Sequence, residues 1–266
     1  MSEFVLAVFI AAVFLLAGSI KGVLGLGLPT VAMGLLSIVM TPAQAAGILV
    51  IPALVTNIWQ VASGPALLSL LRRFALMIVA TVIGTFSTVE FLTRSSQSTT
   101  TGALGAVLAA YGIYGLVGRR LEIRRYSERW LSPLVGFVTG MLNGATGVFV
   151  IPTAPYLTFL RLGKEELVQI VGINAFVCPL ALAAALMVHG QLRIEVAGSW
   201  AVALVFSLAG MYVGQIVRRR ADEQVFRRTF FIGLLALGTY MCLRAVVMSE
   251  HQALRVTVAR VLCLAA

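Results

Sequence analysis

Charge is what this 266-residue chain has least of. Aspartate, glutamate, lysine and arginine together make up 11% of it, and only ten residues are acidic. A soluble domain carries roughly a quarter charged residues, so a water-exposed globular surface is excluded. Cysteine and histidine are also sparse. Cys178, Cys242 and Cys263 stand far apart with no CxxC pair, which excludes a disulfide frame and a thiolate metal site. His189 and His251 form no HExxH or other metal spacing, and no paired carboxylates or buried serine–lysine pair is evident. The chain reads as a non-enzyme with no metal and no cofactor.

What fills the space is apolar. Hydrophobic residues make up 60% of the chain, its mean hydropathy is +0.99, and several runs approach the roughly 20 residues needed to cross a bilayer. The class is an all-α polytopic membrane protein. The net charge of +10 has no large polar domain to carry it. Its arginines punctuate apolar runs, the pattern of loops facing cytoplasm and anionic lipid, so the expected partner is the lipid bilayer and not nucleic acid. Residues 1–20 resemble a signal peptide in their apolar stretch, but Glu3 stands in front and no basic residue does. The stretch also has a counterpart later in the chain and is read as retained.

That counterpart belongs to an internal duplication. Gly64 matches Gly190, Gly84 matches Gly210, Arg94 matches Arg220, and Gly112 and Tyr114 match Gly238 and Tyr240. Gln44–Ile48 ("QAAGI") aligns with Gln169–Ile173 ("QIVGI"), and Gly18 and Gly22 align with Gly136 and Gly140. The expected domains are a first membrane repeat at 1–118, a basic cytoplasmic linker at 119–130, a second repeat at 131–247 and a short tail at 248–266. Each repeat opens with a broken, re-entrant helix pair, about 4–20 and 29–40, then about 131–142 and 148–160. Three longer segments follow in each: 43–62, 74–92 and 99–118, then 165–188, 196–217 and 229–247.

An odd number of crossings per copy makes the two repeats inverted. The basic residues agree. Arg72, Arg73, Arg161, Lys164 and the arginines at 218, 219, 220, 227 and 228 then share the linker's side, against Arg94, Arg193, Arg244, Arg255 and Arg260 opposite. The fitting location is a bacterial cytoplasmic (inner) membrane, with both termini periplasmic. Trp59, Trp130 and Trp200 fall near segment boundaries as interface anchors.

The breaks are the informative feature. "GSIKGVLGLGLP" (residues 18–29) puts glycines, a proline and a lysine where a spanning helix would carry leucine. Interrupting a helix in hydrocarbon leaves backbone groups unpaired at several kcal/mol each unless protein or a cavity receives them. A half-helix starting in the membrane turns its free N–H groups and positive dipole end toward such a cavity, which suits an anion. Pro29 fits the first turn of the new helix. The second break carries Asn143, Gly144, Ala145, Thr146 and Gly147. Two readings stand for the glycines: a cavity lining, or close helix–helix packing. Two stand for Lys21 as well: a buried partner for an anion, or a side chain that snorkels to the interface.

The Gly-x3-Gly-x2-Gly-x-Gly-x-Pro run at 18–29, echoed by Gly136-x3-Gly140 through Pro152, resembles the sulfite exporter TauE/SafE family of membrane permeases, as do the duplication and the "QAAGI" and "QIVGI" segments. The resemblance covers roughly residues 4–247. It implies movement of small sulfur-containing anions, sulfite or organosulfonates. It places Gly22, Gly25, Gly27, Pro29, Gly140, Asn143, Gly144 and Gly147 at the translocation site. The chain departs from the family pattern at Leu26 and Leu28, which separate the glycines, and at Leu49, whereas Asn174 fits.

The remaining substrate-binding candidates are Lys21, Thr146, Gln44, Gln169 and Asn174. Gln44 and Gln169 either bond across helices or donate to substrate. All ten carboxylates sit at or near segment ends or in loops, so no buried proton or sodium coupling site is evident. An inside-negative potential drives an anion outward by about 2.3 kcal/mol per charge per 100 mV. The expected function is a secondary transporter exporting a small anionic substrate. A passive anion channel and an uptake permease for a sulfur-containing or carboxylate anion are the alternatives, and a homo-oligomer is compatible with either.

Overall fold

The computed structural model describes residues 3–62, 64, 66–117, 128–160, 162–190, 197–218 and 223–265. Most of the linker therefore lies outside the described residues. Every described element is a helix: α1 Glu3–Leu24, α2 Leu28–Leu36, α3 Pro42–Ala62, α4 Leu67–Arg73, α5 Ala75–Arg94, α6 Gln97–Val117, α7 Glu128–Thr146, α8 Thr153–Phe159, α9 Lys164–Val188, α10 Ala197–Arg218 and α11 Glu223–Ala265. Seven of them are long and apolar enough to cross a membrane: α1, α3, α5, α6, α9, α10 and α11. The chain is a multi-pass membrane protein. Phe4, Leu76, Val79, Ile83, Leu208 and Leu243 point outward on these helices, where lipid replaces water.

The helix pairs that open each half are unequal, each a long arm followed by a short one. α1 has 22 residues and α7 has 19, giving about 33 and 28 Å at 1.5 Å per residue, close to the roughly 30 Å hydrocarbon thickness. Only the second arms are short, with nine residues in α2 and seven in α8. The glycines at 18, 22, 136, 140 and 144 do not break their helices. The breaks fall later, at Gly25 and Gly27 and at Gly147, whose φ values are positive (76°, 105° and 72°). Only glycine adopts that region without strain. The segment after 247 also differs from a separate tail, because α11 runs on through it to Ala265.

The unbroken glycines serve helix crossings. A Cβ on Gly18 or Gly22 of α1 would collide with the Ser207 or Met211 carbonyl of α10, and one on Gly210 or Gly214 with the Leu15 or Ser19 carbonyl of α1. The α5–α7 pair repeats the arrangement, with Gly136, Gly140 and Gly144 seated on the Met77, Thr81 and Thr85 carbonyls. Without a hydrophobic driving force between helices in lipid, such small-residue seams supply close van der Waals contact.

The pairings exchange elements between the halves. α1 packs on α10 and α7 on α5, while α3 meets α9 and α6 meets α11. One core cluster gathers Phe14, Leu28, Met33, Leu36, Leu104 and Leu108, and a second gathers Phe74, Met77, Leu157 and Ile170. The C-terminal turn after α2 is closed by α11, whose Arg244 Nη1 donates to the Ile38 carbonyl at 2.6 Å. A cation there complements the negative helix end.

Candidate functional site

The two breaks face one another across a cavity of about 450 Å³, its open mouth included. From the first half come Lys21, Gly25, Leu26, Gly27, Pro29 and Asn57. The second half contributes the stretch after Gly147 (Phe149, Val150, Thr153 and Ala154) and the face of α9 that carries Asn174. Gly27 caps α2 with a left-handed backbone, and a proline follows in the first turn. This aims the open end of α2 at the cavity, where first-turn N–H groups have no intrahelical acceptor. At seven residues α8 contributes little dipole of its own, so the positive potential comes from Lys21 and α2.

Lys21 occupies the last turn of α1 and is 5% exposed. It does not snorkel. Its Nζ donates to Thr56 Oγ1 at 2.9 Å and to Asn57 Oδ1 at 2.5 Å. Both acceptors are held in place by α3 and α9. The Thr56 hydroxyl donates to the Pro52 carbonyl at 2.7 Å, and Asn57 Nδ2 donates to the carbonyls of Ala53 and Ala175, each at 2.7 Å. An ammonium has three donors, and these two bonds leave one for the cavity. Among the described residues no carboxylate lines the cavity. The charge is thus solvated by neutral oxygens alone and has no counterion, an arrangement that a bound anion completes.

Of the residues expected at the site, Lys21, Gly25, Gly27, Pro29 and Asn174 line the cavity. The others sit elsewhere. Gly22, Gly140 and Gly144 lie in the helix crossings, where packing accounts for them. Asn143 is fully buried behind the site. Its Nδ2 donates to Thr85 Oγ1 at 3.1 Å and to the Cys178 carbonyl at 2.9 Å, and its Oδ1 has no partner among the described residues. Thr146 donates to the Leu142 carbonyl at 2.7 Å and accepts from Val148 N, tying the bend to itself. Gly147 packs against the Met33 side chain of α2, which brings the two breaks together.

Gln44 and Gln169 match in sequence and diverge in place. Gln44 Oε1 accepts from the Thr41 N–H at 3.0 Å while the Thr41 hydroxyl accepts from Gln44 N, a reciprocal cap on α3. Gln169 is buried and bridges to the other half, accepting from Ala66 N at 2.9 Å and donating to the Val61 and Gly64 carbonyls. Neither lines the cavity. The sequence reading assigned no site role to Asn57, Thr56 or Thr153. For Asn57 a signal existed: an asparagine inside an apolar span is a functional candidate by its cost alone.

A bundle of apolar helices around a buried cation and two helix breaks is the framework of a membrane transporter. The chain belongs to the sulfite exporter TauE/SafE family, whose model matches residues 10–241. No curated protein and no solved structure matches it.

Proposed function

We propose that the protein exports small anions, sulfite or small organosulfonates, with Lys21 as the charge that receives them. The observation that carries this reading is the Lys21 ammonium at the cavity wall, bonded among the described residues to Thr56 and Asn57, neutral groups that leave its charge open to a ligand. Asn174, Thr153 and the first turn of α2 supply the neutral donors around it. Exchange of helices between the halves supports the duplication, because α1 on α10 repeats α7 on α5, and the grouping of basic residues on one side favours its inversion. Two oppositely oriented halves around one site are the frame for alternating access.

Direction follows from charge. Without a carboxylate at the site to carry a coupling proton or sodium, the membrane potential is the driving force, and it pushes anions outward. We further propose a bacterial cytoplasmic membrane, with the arginine-rich 119–130 linker on the cytoplasmic side by the positive-inside bias and both termini outside. The experiment is sulfite and methanesulfonate flux from proteoliposomes under an imposed potential. An inside-negative potential accelerates efflux, and Lys21→Gln abolishes it. Proton-stimulated uptake with no response to potential would overturn the direction. Discrete single-channel currents would replace the carrier by a channel.

A further inference from the structure

We propose that the site takes a compact anion with one negative charge and no positive one, so that from a sulfite pool it selects hydrogensulfite over the sulfite dianion and rejects zwitterionic sulfonates. This inference rests on the Lys21 site proposed above and adds what its lining can neutralise. Among the described residues Lys21 is the one charged side chain of that lining. Pro29 of α2, Asn57 of α3, Thr153 of α8 and Asn174 of α9 face the same space, and no aspartate, glutamate, histidine, tyrosine or second base joins them there.

The supply of donors is short as well. Thr56 and Asn57 already take two of the three ammonium protons. The Thr153 hydroxyl shares a bond with Thr139 Oγ1 in which either atom can donate. Thr153 can therefore accept from Thr139 and turn its own proton to a ligand. Once its open mouth is left out, the cavity has room for only a few waters. That space suits one small oxyanion that has shed most of its hydration shell.

Shedding water decides the charge. The desolvation cost of an ion rises with the square of its charge, whereas its attraction to one fixed ammonium rises only in proportion. A second negative charge thus makes the cost about four times larger and the attraction only about twice as large. Leu26, Phe149, Val150, Leu157 and Val171 complete the walls and offer a second charge nothing. An aminoalkanesulfonate meets the opposite difficulty. Its ammonium would enter a membrane-embedded site that already holds a cation and has no carboxylate among the described residues of its lining.

The test is calorimetric titration of the purified full chain in nanodiscs at constant ionic strength. Methanesulfonate and methylphosphonate have nearly one shape, but the phosphonate gains a second negative charge as pH rises and the sulfonate does not. Methanesulfonate affinity reports what pH does to the protein, Lys21 included, so the ratio of the two affinities isolates the charge of the ligand. Methylphosphonate affinity relative to methanesulfonate should fall about tenfold per pH unit above the second pKa of the phosphonate, following its monoanion fraction. Sulfite should fall in the same way above its own second pKa. Sulfate and taurine should bind at least about tenfold more weakly than methanesulfonate, a gap of about 1.4 kcal/mol.

A ratio that stays level or rises with pH, or sulfate or taurine matching methanesulfonate, would overturn the charge selection and leave the anion site standing. No methanesulfonate binding by the wild-type chain, or binding unchanged in Lys21→Gln, would remove the site itself and this inference with it.

Discussion

The Lys21 ammonium and the Asn57 carboxamide oxygen meet at 2.5 Å inside the bundle, while the amide nitrogen of the same Asn57 binds two backbone carbonyls, one on α3 and one on α9. Asn57 thus orients its oxygen by spending its nitrogen, and it couples the charge of the first half to a helix of the second.

Asn57→Ala should therefore destabilise the protein by about 2–4 kcal/mol, since it strips a buried charge of an acceptor and leaves unpaired the Ala175 carbonyl, whose i+4 residue, Pro179, has no N–H. Asn57→Asp acts differently. It supplies Lys21 with an internal counterion, so anion-induced thermal stabilisation, present in the wild type, should vanish in this variant. Thermal unfolding with and without methanesulfonate reads both, because a ligand that binds only the folded state raises its stability.

The glycines of the helix crossings and the lipid-facing glycines should respond in opposite ways. Gly140→Ala places a methyl on the Thr81 carbonyl, and Gly18→Ala one on the Ser207 carbonyl, where backbone must move. A loss of roughly 1–3 kcal/mol is expected for each, visible as lower yield and melting temperature. Gly233 in α11 has open space around it. Gly233→Ala should be neutral or stabilising by up to about 1 kcal/mol through reduced chain entropy.

The two breaks separate strain from collision. Gly25 and Gly147 both have positive φ, but a Cβ on Gly25 meets nothing, whereas one on Gly147 meets the Met33 methyl and sulfur at 2.8 and 3.0 Å. Alanine should cost about 1–2 kcal/mol at Gly25 from backbone conformation alone and more at Gly147. In a double-mutant cycle, Met33→Ala should recover part of the Gly147→Ala loss and none of the Gly25→Ala loss.

Arg73 and Glu128 join α4 to α7 through paired bonds of 2.7 and 2.9 Å. Donating to the Glu128 carboxylate raises the pKa of the Arg73 guanidinium above its ordinary value. Their side chains are 29% and 12% exposed, so screening is partial. Arg73→Ala should cost about 1–2 kcal/mol. The exchange Arg73→Glu with Glu128→Arg should restore part of it, checked by melting temperature at low and high salt.

Most of the apolar spans were legible because a membrane helix announces itself by length and composition, and α3, α5, α6, α9 and α10 fall within a few residues of where the runs predict them. The positions of the breaks were legible too, since only glycine accepts the backbone of residues 25, 27 and 147. Which glycines break and which pack was not. Gly22 and Gly25 are three residues apart in one motif, yet Gly22 is seated on α10 and Gly25 borders the cavity. Gln44 and Gln169 show the same limit: equal neighbours in sequence, a helix cap in one case and a bridge between halves in the other.

The sequence by itself determined that this chain lives in a bilayer, that it is built from apolar helices, and that a lysine stands beside an interrupted one. Hydropathy and backbone conformation are local properties, and a string of residues carries them in full. Only the tertiary structure decided that Thr56 and Asn57 bind Lys21 and that Asn174 lines the same cavity, while Gly22, Asn143 and Gln169 do not. Those choices depend on which helix faces arrive against one another, and that is set by packing between residues far apart in the chain: 36 positions for Lys21 and Asn57, 118 for Asn57 and Ala175.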